Sequence, residues 1–156
     1  MLSLLEALDA RIEITDSVAS WEEAVRICGQ MLQKDQVIES SYADKMLSVS
    51  KELGPYVVIA PGIAIPHARP EDGAKRFGLS LLVIRNGVNF GSHNDPVFLV
   101  LGFATPNKEA HLEFLKQLAG ILQNSKQMAG EIKRLKDADE VRGYLELMLA
   151  QEGSGE

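Results

Sequence analysis

The middle of the chain abandons the helical period that governs both of its ends. Tyr56-Val57-Val58-Ile59, Phe77 to Ile84 and Val97 to Ala104 are short apolar runs separated by Gly, Pro, Asn and Asp, the pattern of buried strands. On either side, apolar residues recur every three or four positions, as a helix requires. Helices, then strands, then helices predict an α/β fold: a single-domain sandwich with a mixed central β-sheet flanked by helices on both faces. With 156 residues, such a domain buries roughly two-thirds of its unfolded surface without help. The folded unit is expected over 1–150, with 151–156 a polar, Gly-containing flexible tail.

Ser20-Trp21-Glu22-Glu23 has the form of a capping box, a hydroxyl and a carboxylate that satisfy two helix-terminal donors reciprocally. The stripe that follows, Trp21, Ala24, Val25, Cys28, Met31 and Leu32, places Cys28 on the buried side, which favours an inert core thiol. A second helix is expected from about Ser41 to Leu53, with Ser41 and Asp44 as its cap and Gly54-Pro55 as its stop. Tyr42, Met46, Val49 and Leu53 would face inward. Asn86-Gly87, between Leu81 to Arg85 and Val88 to Phe90, reads as the tight turn of a short hairpin. Beyond Thr105-Pro106, a helix beginning at Asn107 to Glu109 would bury Leu112, Leu115, Leu118, Ala119 and Leu122. A short helix over 125–135 and a last amphipathic one, capped by Asp137-Ala138-Asp139-Glu140, complete the chain.

Composition narrows the function classes. Hydrophobic residues make up 46% and charged residues 24%, which excludes disordered and low-complexity chains. The net charge is -6 and no basic stripe breaks it, so a protein that tracks a nucleic-acid backbone is not expected. The single cysteine cannot form an internal disulfide, which suits a reducing cytoplasm. The first residues, Met1 to Ile14, lack the basic start of a secretory signal. No stretch reaches the ~20 apolar residues of a membrane span, so membrane insertion is not expected.

The most unusual segment is Ala60-Pro61-Gly62-Ile63-Ala64-Ile65-Pro66-His67-Ala68-Arg69-Pro70-Glu71-Asp72-Gly73. Its three prolines each fix φ and remove a donor, so His67 is carried on a segment with little conformational freedom. Ile63 and Ile65 can point into the core while the chain turns at Pro66, leaving His67 at the end of a strand, where α/β folds tend to place ligand sites. On composition alone, a lone histidine in such a loop is more often a surface residue. His111, in Asn107-Lys108-Glu109-Ala110-His111-Leu112, offers a second imidazole near a helix start, where free N–H groups and the helix dipole favour a phosphate. A solvent-facing first-turn histidine is the plain alternative. His93, in Gly91-Ser92-His93-Asn94-Asp95, reads as a loop residue.

Gly62-Ile63-Ala64-Ile65-Pro66-His67, followed further on by Glu109-Ala110-His111-Leu112, resembles the signature of the IIA proteins of the bacterial phosphoenolpyruvate-dependent sugar phosphotransferase system, in the mannitol/fructose class (EIIA type 2). The resemblance spans nearly the whole chain. The extension Pro66-His67-Ala68-Arg69-Pro70-Glu71-Asp72-Gly73 is most similar to the ascorbate-specific members. The resemblance implies a cytoplasmic phosphoryl relay that needs no cofactor or metal. The phosphocarrier protein HPr would load His67, and His67 would pass the group to a cysteine of a cognate IIB component, which serves the membrane component IIC. His111 would support the transfer. Mannitol-type relatives carry an upstream arginine as a phosphate clamp, and here the residue at a comparable distance is Lys51, a point charge without the bidentate fork. Arg69 is the alternative phosphate-binding residue. A regulatory module of the nitrogen-phosphotransferase type shares the motif and is the competing reading, although Ala68-Arg69-Pro70 favours the sugar branch. A zinc enzyme would need a third ligand at metal-site spacing, and the sequence offers none.

Overall fold

The computed structural model describes residues 3–154. Eleven principal elements follow in chain order: α1 (Leu4–Leu8), β1 (Ile12–Thr15), α2 (Trp21–Lys34), α3 (Ser40–Leu53), β2 (Val58–Ala60), β3 (Ile63–Ala64), β4 (Gly78–Val88), β5 (Val97–Ala104), α4 (Lys108–Ile121), α5 (Ser125–Ile132) and α6 (Ala138–Ser154). The strands form one mixed sheet in the order β1-β4-β5-β3-β2. β1 lies parallel to β4 and β3 parallel to β5, while β4 and β5 pair antiparallel. Consequently β3 and β5 end where β1 and β4 begin.

Both faces of the sheet are covered, which is why the central strands are largely apolar on both sides. Leu82 and Ile84 of β4 join Val25, Cys28 and Leu32 of α2 and Tyr42 and Met46 of α3 in one core. Leu79, Leu81 and Val83, alternating with them, face α1, α4, α5 and α6 in the other. The Cys28 thiol is fully buried and donates to the Val100 carbonyl at 3.4 Å, and burial pushes its pKa up to about 12. It is the inert core thiol expected of its stripe.

The helix starts follow their caps. Ser20 Oγ accepts the Glu23 N–H at 3.3 Å, and Asp137 Oδ1 accepts that of Glu140 at 2.9 Å. Asn107 Oδ1 accepts the Ala110 N–H at 2.8 Å and starts α4 within the expected interval. α3 differs: it begins at Ser40, and the Ser41 hydroxyl, instead of capping it, donates to the Asp72 carbonyl at 3.1 Å. Gly54, at φ 58°, ends α3 as expected, in a conformation that favours glycine.

Four local expectations are corrected. Pro55 follows Gly54 into a 3-10 turn over Gly54–Val57, so Tyr56 is 81% exposed and the strand shrinks to β2. Leu53 at the helix end is exposed as well. Asn86-Gly87 does not close a hairpin; β4 runs through it to Val88, with a register shift after Val83. Gly87 has φ 75°, and a Cβ there would meet Phe98 and Pro96 at 3.0 Å, so the positive-φ glycine serves an irregularity within the strand. The turn into β5 comes later, where the Asp95 carboxylate gathers the N–H groups of Phe90, Gly91 and Ser92. In α4 the buried residues are Phe114 and Leu118, whereas Leu112 is 54% exposed and Ala119 faces solvent. Phe114 packs against Phe103 with ring centroids 4.5 Å apart, and this contact turns the helix away from the all-leucine stripe.

The helical backbone of α6 continues to Ser154, through the first four residues of the segment expected as a tail, and the last two lie outside the described residues. Among the described residues, no helix is long and apolar enough to cross a membrane.

Candidate functional site

The loop after β3 carries His67, and the backbone around it is held from three sides. The Phe103 N–H of β5 donates to the Pro66 carbonyl at 3.4 Å. From α3, the buried Tyr42 hydroxyl accepts the Ala68 N–H at 3.1 Å and donates to the Phe103 carbonyl at 2.9 Å, with the Ala68 carbonyl also within 3.2 Å. Beyond His67, a 3-10 turn over Pro70–Asp72 folds the segment back, and Asp72 Oδ2 accepts the Arg69 N–H at 3.0 Å. The prolines restrict the loop, and these contacts select one of the conformations that remain.

The imidazole of His67 lies stacked on Phe103, with centroids 4.5 Å apart and planes 24° from parallel. Its Nδ1 is 2.8 Å from the Ile65 carbonyl. A carbonyl only accepts, so Nδ1 carries the proton and Nε2 keeps its lone pair. Nε2 has no protein partner, and no half-buried side-chain nitrogen is sealed from solvent without one among the described residues, so Nε2 is open to the surface. Burial lowers the pKa of His67 below 6.5, with His111 adding to the effect and the Ile65 carbonyl opposing it. At neutral pH the ring is therefore uncharged and nucleophilic at Nε2.

His111 sits in the first turn of α4, its ring centroid 5.4 Å from that of His67. Its Nδ1 is 3.1 Å from the hydroxyl of the buried Thr105, the residue that follows β5. Burial lowers its pKa too. The two histidines line one cleft of about 560 Å³, bounded by residues 67–71 on one side and by 106–108 with His111 on the other. The first N–H groups of α4 that its cap leaves free have no acceptor within the helix, so this end favours an anion. A second cavity, of about 70 Å³, lies between the sheet and α1, α4, α5 and α6; its walls are apolar and offer no group for polar chemistry. Among the described residues, no three His, Cys, Asp or Glu side chains stand together as a metal site would require.

Of the four residues singled out from sequence, the cleft unites His67, His111 and Arg69. Arg69 stands at its rim, with a side chain 71% exposed and Nε 3.5 Å from Asp72 and 3.8 Å from Glu71. Lys51 is exposed in the last turn of α3 and does not line the cleft. His93 is an exposed loop residue, as read. Tyr42 was legible as a core residue, but nothing in its helical spacing shows that its hydroxyl reaches the His67 loop. Thr105 and Lys108 flank the start of α4, and the helix-start signal already points to that neighbourhood.

The fold that carries this cleft, a mixed sheet covered by helices, is the one on which the comparisons converge. The family model of the phosphoenolpyruvate-dependent sugar phosphotransferase system, EIIA 2, matches residues 8–147. An ascorbate-specific phosphotransferase-system EIIA component of Escherichia coli (strain K12) is 36% identical over 113 residues, 72% of this chain and 70% of that one. A mannitol-specific cryptic phosphotransferase enzyme IIA component of the same organism is 31% identical over 114 residues, covering 73% and 78%. The solved complex of the E. coli mannitol enzyme IIA with phosphorylated enzyme IIB superposes with a TM-score of 0.76 at 29% identity, over 91% of this chain and 96% of that chain. The chain belongs to the EIIA type-2 family of the sugar phosphotransferase system.

Proposed function

We propose that this protein is a cytoplasmic phosphoryl carrier that accepts its group from phospho-HPr on His67 and hands it to a cysteine of an ascorbate-type IIB. The observation that carries the reading is the His67 imidazole, with Nδ1 committed to the Ile65 carbonyl and Nε2 open in the cleft it shares with His111. In loading, the Nε2 lone pair attacks phosphorus, the bond to the donor's imidazole nitrogen breaks, and its electron pair returns to that nitrogen. Discharge repeats the exchange: a thiolate sulfur attacks and the phosphorus–Nε2 bond breaks. Such transfer is mostly positioning and charge stabilisation. When Thr105 donates to His111 Nδ1, His111 presents an Nε2–H to the phosphoryl oxygens.

Incubation with phosphoenolpyruvate, enzyme I and HPr, followed by intact mass, tests the reading. Wild type should gain one acid-labile phosphoryl group and His67→Ala none, while His111→Ala should load on the order of a hundredfold more slowly. An equal gain in His67→Ala removes that residue from the mechanism. Phospho-protein mixed with IIB proteins of ascorbate, mannitol, fructose and galactitol types should discharge fastest to the ascorbate type. Discharge to none of them would favour the regulatory reading.

A further inference from the structure

We infer that Lys108 is the cation that binds the phosphoryl group in this cleft, an inference that rests on the carrier reading above. A site for a doubly charged group needs positive charge that is not already spent. Arg69 lies near two carboxylates of its own loop, Asp72 and Glu71, and Lys51 does not line the cleft. Lys108 does line it, and among the described residues it takes part in no ion pair.

Its place in α4 explains why. On a helix, side chains three and four positions apart are neighbours, and for Lys108 those neighbours are His111 and Leu112. Neither can neutralise it. The first of them is the supporting histidine itself, so Lys108 and His111 share a face one turn apart at the start of α4. A lysine at the first helical position also opposes the helix dipole, which favours anions there. The dipole preference is thus broken with no compensating carboxylate on the same helix face, the one carboxylate of the cleft lining, Glu71, lying 3.8 Å from Arg69, and such departures gather where a ligand supplies the missing charge. A phosphoryl group on His67 Nε2 would meet the Lys108 ammonium, the free N–H groups of α4 and His111 together.

The step served is the exchange already written: the phosphorus–nitrogen bond of the donor breaks as the phosphorus–Nε2 bond of His67 forms, with no net proton transfer. Lys108 makes no bond in it and balances the charge of the transferring oxygens. An ammonium on a flexible stem, in place of a guanidinium, would follow the group as it arrives and leaves.

The test is single-turnover transfer from phospho-HPr, measured over a range of donor concentrations for wild type, Lys108→Met, Lys108→Arg and Lys51→Met. Lys108→Met should keep His67 as the labelled residue and keep the half-saturating donor concentration, while its saturated rate falls about tenfold. Lys108→Arg should recover most of the loss. Lys51→Met should transfer at the wild-type rate. An unchanged saturated rate in Lys108→Met, a change confined to half-saturation, which marks a docking residue, or a loss found in Lys51→Met instead would each overturn the assignment while leaving the relay intact. Failure of wild type to label on His67 would overturn both.

Discussion

Two basic side chains stand at the same end of the sheet and are finished in opposite ways. Arg11 enters β1 beside the start of β4 and is 4% exposed. Its Nε donates to the Leu79 carbonyl at 2.8 Å, one terminal nitrogen to Asp35 at 2.8 Å and the other to the Ala7 carbonyl. His67, at the ends of β3 and β5, has one nitrogen bonded and the other open. Arg11 is closed by acceptors from α1, β4 and the end of α2, and it joins those elements. His67 is closed just far enough to fix its tautomer. A buried basic group serves structure when every nitrogen is taken, and becomes available for chemistry when one is left free.

Removing the closed group gives the largest expected change in stability. Arg11→Met strands the Leu79 and Ala7 carbonyls and leaves Asp35 unpaired, so urea titration should show a loss of about 2–4 kcal/mol. The rate of phosphoryl uptake per folded molecule should not change. A fall in that rate at full folding would join the two regions that the comparison separates.

Tyr42→Phe probes the boundary between them, because this hydroxyl is a structural tie that holds the reactive loop. Its loss leaves the Ala68 N–H without its acceptor and should cost about 1–3 kcal/mol. Through the loosened loop, transfer should slow roughly tenfold at temperatures where the variant is folded. A variant that is destabilised yet transfers at the wild-type rate would show that stacking on Phe103 suffices to hold His67.

The smallest expected effect is on pH dependence. His67 and His111 have folded pKa values below 6.5, both through burial. The unfolded chain therefore binds protons first as pH falls, so the stability contribution of the neutral rings is complete above about 6.5 and is lost as pH drops through 6.5 toward the folded values. Loading should stay constant from pH 7.5 to 6.5 and decline only below that. His67→Gln should flatten part of the acid-side stability loss. A loading rate that halves near 6.5 would mean that burial does not protect the ring.

Much of this arrangement was legible in the residues. Ser20, Asn107 and Asp137 mark helix starts because a cap is a local device, complete within four residues. The Pro-framed His67 and the helix-start His111 are local patterns too, each with a plain surface alternative, and it is the fold that brings them into one cleft. Where a local signal serves two structures, tertiary contact decides. Asn86-Gly87 satisfies a tight turn or a strand irregularity equally well, and Phe98 and Pro96 select the latter. Leu112 and Phe114 both fit a helical stripe, and Phe103 selects Phe114. The two-residue β3 is too short to carry a period, and its pairing with β5 defines it. Lys51 and Lys108 are equally basic in sequence; only the packing of their helices determines which one lines the cleft.

The Ile65 carbonyl has a consequence for traffic. With Nδ1 occupied, the ring has a single port, and on the proposed relay both loading and unloading pass through it. Supplier and receiver must then stand in the same place at different times, so exclusion between them needs no separate regulation. The time per cycle is the sum of two occupancies and two vacancies of one surface. Tight binding by either partner lengthens its own occupancy and throttles the flow, so the turnover of such a carrier rises as its partners hold it less firmly, until encounter becomes the slow step.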